Sequence, residues 1–146
     1  MAITSAICNS FKQEILEAEH NFTASTGNTF NLALYDSDAT LGAGTTAYTT
    51  SEEITNTSGT AYTAKGKALT SVTPTLDSST AVCDFADVSW TSASFTARGC
   101  LIFNDSHSTD AAVCAVAFGG DKTVSSGTFT IQFPAAAATT AIVRIA

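Results

Sequence analysis

Several places in this sequence gather side chains that could do chemistry. Asp36-Ser37-Asp38 opens like a calcium loop, with carboxylates at alternating positions. A calcium loop needs oxygen ligands onward from there and glycine at its sixth position for the sharp turn. Here the fifth position is Thr40 and the sixth is Leu41, so the pattern fails and a solvated turn is expected. Asp105-Ser106-His107-Ser108-Thr109-Asp110 brings a histidine, hydroxyls and two carboxylates into six residues. A catalytic base is oriented by groups that the fold collects, not by neighbours in one turn, so this stretch reads as a polar hairpin loop. Glu52 and Glu53, or Asp84 and Asp87, have the residue type for paired-carboxylate hydrolysis, but no sequence feature selects either pair. Trp90, Tyr35, Tyr48 and Tyr62 could line a sugar site; packing in a core or an interface is the commoner fate of such rings. His20 sits where a helix is expected to end and is assigned no chemistry. The sequence contains no GxSxG, P-loop or GxGxxG pattern. No catalytic, cofactor-binding or metal-ligating residue is therefore expected, and the reading is that of a non-enzyme.

Composition narrows the classes further. Charged residues are 13% of the 146 residues, about half of the usual ~25%, and Thr, Ser and Ala take their place. A surface of hydroxyls rather than Lys and Glu has little charge repulsion to oppose association. Six basic residues face thirteen acidic ones, for a net charge of −7. The basic residues are scattered (Lys12, Lys65, Lys67, Arg98, Lys122, Arg144), whereas nucleic-acid binding needs clustered positive charge against phosphates, so no nucleic-acid partner is expected. The first residues lack a basic region before an apolar run, and no apolar stretch reaches the roughly 18 residues of a membrane span. A cytosolic protein without a membrane partner is the expectation. Cys8, Cys83, Cys100 and Cys114 have no CxxC or zinc spacing. They read as buried free thiols, with a Cys83/Cys100 or Cys100/Cys114 disulfide between neighbouring strands as the alternative.

The elements that must position these residues are mostly strands. Ile7, Cys8, Phe11, Ile15 and Ala18 predict one helix over residues 5–20, capped by Thr4 or Ser5. Beyond residue 28 the chain reads as eight or nine short strands separated by turns. Phe30–Tyr35 alternates. Leu69–Leu76 carries Pro74, which marks an edge or a bulge. Ala81–Phe85, Val88–Ala97, Gly99–Phe103, Ala111–Phe118, Thr128–Phe133 and Ala141–Ile145 come after it. Gly99–Phe103 is apolar on both faces and so central; Gly119-Gly120-Asp121-Lys122 is expected to turn the chain. The class is mainly β: a single β-sandwich, jelly-roll or immunoglobulin-like, with one N-terminal α-helix. Residues 1–27 form the helix and linker, and 28–146 the sandwich. Within it, 36–66 is an extended loop or arm, polar and anchored only by Leu41, Tyr48, Ile54 and Tyr62.

Cys8-Asn9-Ser10-Phe11-Lys12-Gln13-Glu14, Phe30–Tyr35, Thr45–Thr49, Gly59–Gly66, Ala81–Ala86 with Trp90, Thr96–Gly99 and Phe118–Lys122 together resemble small structural proteins of tailed bacteriophages, of the capsid cement or decoration kind. The resemblance covers nearly the whole chain and carries over no catalytic residue. It implies a protein of the virion, assembled in the host cytoplasm. Its partners would be the major capsid protein and further copies of itself, as a homotrimer at a local three-fold axis. A tail or head–tail connector component, or a carbohydrate-binding module of the virion, are the alternatives. The expected intersubunit contacts are Ile7, Phe11 and Ile15 on the helix and Leu41, Tyr48, Ile54 and Tyr62 in the arm.

Overall fold

The computed structural model describes residues 2–55 and 57–146; Met1, in the expected N-terminal unit, and Asn56, in the expected arm, lie outside them. The chain forms strands β1 (Ala6–Ile7), β2 (Phe30–Tyr35), β3 (Lys67–Ala68), β4 (Ser71–Asp77), β5 (Thr80–Phe85), β6 (Val88–Asn104), β7 (Ala111–Ile131) and β8 (Val143–Ile145), with one helix, α1 (Asn9–Leu16). Two antiparallel sheets result, in the orders β1-β7-β6-β2-β3 and β4-β5-β8. The mainly β, sandwich-like class expected from the strand pattern is the one found.

The larger sheet is a middle layer. Phe30 lies opposite Asn104 and Phe103 opposite Asn31, so the Phe30 and Phe103 rings leave the sheet on opposite faces. Phe30 stacks on Phe22 at 4.2 Å and meets Phe85 of the smaller sheet at 6.0 Å. Phe103 stacks on Tyr48 of the arm at 4.8 Å. Both faces are thus covered, which is why Gly99–Phe103 is apolar throughout and sits centrally, between β7 and β2. Gly99 adds a steric reason: a Cβ there would come within 2.6 Å of the Val116 carbonyl and 2.8 Å of Ile3.

The helix is shorter than the periodicity suggests. Ala6 and Ile7 are claimed by β1, pairing with Ala115 and Cys114. Thr4 and Ser5 therefore precede a strand and do not cap the helix; the N-cap is Cys8, which makes no side-chain cap bond. The helix start is held by tertiary bonds instead, Cys8 N–H to Val113 O at 3.0 Å and Asn9 N–H to Ala43 O at 2.8 Å. It ends at Leu16 because Ala18 turns into the left-handed region, φ 61°. Phe11 joins the main core, so α1 is packed onto the sandwich rather than set apart from it.

The expected turn at Gly119–Lys122 does not reverse the chain. Pairing passes from Ala97↔Lys122 to Gly99↔Ala117, so Phe118 to Asp121 bulge opposite Arg98 alone. Gly119 takes φ +76° in this bulge, and Arg98 Nε braces it on Asp121 Oδ1 at 2.7 Å. Two pairs of expected short strands therefore fuse into the long β6 and β7. Pro74 lies in β4, an edge strand, where the register slips between Val72 and Thr75, as proline requires.

Candidate functional site

The arm is pinned by one carboxylate. Glu53 is buried and accepts three hydrogen bonds: from the Tyr48 hydroxyl at 2.6 Å, the Tyr62 hydroxyl at 2.7 Å and the Lys65 backbone N–H at 2.8 Å. The Tyr62 oxygen in turn accepts the Leu34 N–H of β2 at 2.9 Å, and Tyr35 donates to Thr49 O at 2.7 Å. Lys65 spans Asp105 and Asp110 at 2.9 and 2.8 Å, joining the arm to the β6–β7 turn. Gly66 lies so close to β2 that a Cβ would meet the Leu32 carbonyl at 1.8 Å, and its φ is +65°. Burial, the Glu53 hydrogen bond and the Glu53 charge, in that order, push the Tyr48 hydroxyl up to about 12. Burial above all drives Tyr35 and Tyr62 up as well. A fully satisfied network of this kind fixes a segment; it presents no free nucleophile.

A second polar hub sits under the helix. His20 is buried, with Nε2 2.7 Å from Glu14 Oε2 and Nδ1 3.1 Å from Asn104 Nδ2. Asn104 Nδ2 also faces Glu19 O and Asn28 Oδ1, while its Oδ1 accepts the Ser106 N–H. Those partners fix the amide orientation, so His20 Nδ1 accepts a hydrogen bond from Asn104 Nδ2 and Nε2–H donates one to Glu14 Oε2. Neither hub is visible in the sequence: Glu53 looks like Glu52, and His20 like any helix-end histidine. No local pattern distinguishes them, because their partners lie on other elements.

The expected contact residues divide. Phe11, Leu41 and Tyr62 are buried in the chain's own core. Ile7, Ile15, Tyr48 and Ile54 are half-buried, packed at the core's margin. Core packing, the commoner fate of such rings, is what three of the aromatic residues show: Tyr35, Tyr62 and Trp90 are fully buried, and Tyr62 stacks on Trp90 at 6.0 Å. Asp36, Asp38 and Glu52 bring their carboxylate oxygens within 4.8 Å of one another at the surface. All four cysteines are buried free thiols. Burial pushes Cys8 and Cys83 up to about 11 and Cys100 up to about 12, which keeps them protonated and unreactive at neutral pH. Among the described residues no helix is long and apolar enough to cross a membrane.

Two apolar openings remain. One, of about 610 Å³, opens at an end of the sandwich between the Ile102 and Val116 side of the large sheet and Phe129, Ile131, Phe133 and Ile142. The other, of about 410 Å³, runs between α1 and the smaller sheet, lined by Phe11, Ile15, Ala81 and Ile145 among others. Leu76, Ala81 and Ile145 stand in register across β4, β5 and β8, and Leu76 and Ile145 are 72% and 55% exposed. Compared with known proteins, the chain matches no family model, no curated protein and no solved structure.

Proposed function

We propose that this chain is a non-catalytic structural protein of a tailed-phage virion, a capsid cement or decoration protein that binds the major capsid protein at the outside of the shell. The observation that carries the reading is the apolar row Leu76–Ala81–Ile145 at the mouth of the groove beside Ile15. Exposed large apolar side chains next to an open apolar groove mark a surface that another protein covers. The resemblance of the sequence motifs to phage structural proteins supplies the partner. The arm supports the same reading: a polar segment held by Glu53 and Lys65 is a rigid outer layer that a shell can bind without an ordering cost.

The test is the copy number in purified particles, by quantitative mass spectrometry against the major capsid protein. A constant ratio of whole subunits per capsomer supports the cement role. A few copies per particle would move the protein to the tail or the head–tail connector. An Ile145→Asp variant, which puts a charge on the exposed row, is expected to fold and to be lost from particles.

A further inference from the structure

The large sheet ends in β7, and β1 covers only a short piece of that edge, at Cys114 and Ala115. Next to it, Ala117 N–H is satisfied by Ser5 Oγ at 2.9 Å. Beyond the Gly119 bulge, β7 pairs with β6 on one side only. Among the described residues, no backbone-to-backbone hydrogen bond outside that pairing involves residues 118–133; the Ser126 and Phe133 N–H groups donate to Ser94 Oγ and Asp87 Oδ1. A second slip in β7, from Phe95↔Val124 to Ala93↔Gly127 with Ser126 at φ 47°, interrupts the edge once more. After this slip β7 carries no further extra residue from Gly127 to its end at Ile131; one more slip, between Trp90 and Ala93, puts its extra residue on β6 opposite Thr128, and Gln132-Phe133 follow the strand.

Proteins usually guard such an edge with charge, proline or a bulge. The two bulges guard the part before Gly127; nothing of the kind guards 127–133. From Thr123 to Phe133 there is no charged residue and no proline. Phe129, Ile131 and Phe133 line the larger opening, and Thr128, Thr130 and Gln132 are exposed.

We propose that this edge is the site at which a second copy of the chain adds antiparallel, residue against residue about a two-fold axis near Thr130. The pattern is self-complementary. Thr130 meets its own copy, Phe129 meets Ile131, Thr128 meets Gln132, and Gly127 leaves room for the Phe133 ring. Apolar side chains stay on one face and polar ones on the other. In a two-fold strand pair only the residue on the axis meets its own copy, so a charge at position 130 would meet a like charge, and the uncharged Thr130 allows the pairing. The partner's Phe129 and the partner's Ile131 would also extend the wall of the opening. The other edge of this sheet is the two-residue, exposed β3, and the seven-residue edge strand β4 of the smaller sheet carries Pro74. Two-fold pairing makes a dimer, whereas the phage resemblance implies a homotrimer. It stands whether or not the protein belongs to a virion.

The test is the mass of the purified full chain by light scattering across a concentration series, for the wild type, Thr130→Lys and Thr130→Glu. A dimer of the 15.0 kDa chain is expected for the wild type and a monomer for each variant. Mixing the two variants should restore the dimer, because Lys then faces Glu. Circular dichroism confirms that the variants fold, since Thr130 is exposed and its one side-chain bond is to Ser89. A monomeric wild type, a trimer, or a dimer indifferent to both substitutions would overturn the proposal, and the wild-type mass decides even if a variant fails to fold.

Discussion

The β6–β7 hairpin places two unlike halves on the same pair of strands. In the inner half, Gly99–Asn104 and Ala111–Ala115, every residue is buried. Sheet neighbours flank it on both sides, β2 and β1, and other layers cover both faces. In the outer half, β6 still buries Trp90, Ala93, Phe95 and Ala97, while the β7 side alternates between exposed and half-buried residues. The bulge at Phe118–Asp121 is the boundary. Strand identity and hydrogen bonding are common to both halves, so what differs is cover. Burial in a sheet comes from the layers laid against it, and here the arm and the smaller sheet reach only part of the hairpin.

The sharpest way to break this comparison is to cut the same kind of hole in each half. Leu101→Ala, in the inner half, should cost roughly 2–5 kcal/mol, while Phe129→Ala should cost distinctly less than the ~3–5 kcal/mol of a buried phenylalanine, since it is half-buried. Urea unfolding measures both, and equal losses would mean that the halves are equally packed. The arm's share in covering the inner half is sharpened by Glu53→Ala. That change orphans the buried Tyr62 hydroxyl and the Lys65 N–H and should cost about 1–3 kcal/mol. Hydrogen exchange should then rise over 45–66 and leave β5 unchanged; uniform loosening would show that the arm is not a separate cover.

The smallest effect is in alkali. Tyr48 holds its proton to about 12 in the fold, against an ordinary value of 10.0. The folded state keeps a proton that the unfolded state releases, so this contribution is whole below pH 10 and is lost as the pH rises from 10 to about 12. Tyr48→Phe should therefore be less stable than the wild type at neutral pH, with the gap closing over that range. A gap that widens would show that the hydroxyl is not held by Glu53.

The legible parts of the fold are those whose determinants lie close together in sequence. The β2 and β5 strands, the Asp77–Thr80 turn and the edge position of Pro74 are readable, because alternation and proline act through neighbours along the chain. The helical period overreaches because Ile7 and Cys8 fit it, yet their backbone groups are taken by β7 residues more than a hundred positions away. Gly119-Gly120 signals a departure from regular strand, but whether the chain reverses or merely bulges depends on Arg98 and the partner strand. Tyr48 and Tyr62 are legible as anchors of the arm, but Glu53, which their hydroxyls share, is not, because a buried carboxylate has no apolar signature.

The first and last strands are sewn into different sheets. Ala6 pairs with Ala115, and Val143 with Cys83. Neither seam can close until most of the chain is present, and closing either means bringing distant segments together against loop entropy. During synthesis the edge of β5 that β8 covers stays open until residues 143–145 leave the ribosome. The arrangement makes folding a late and nearly all-at-once event.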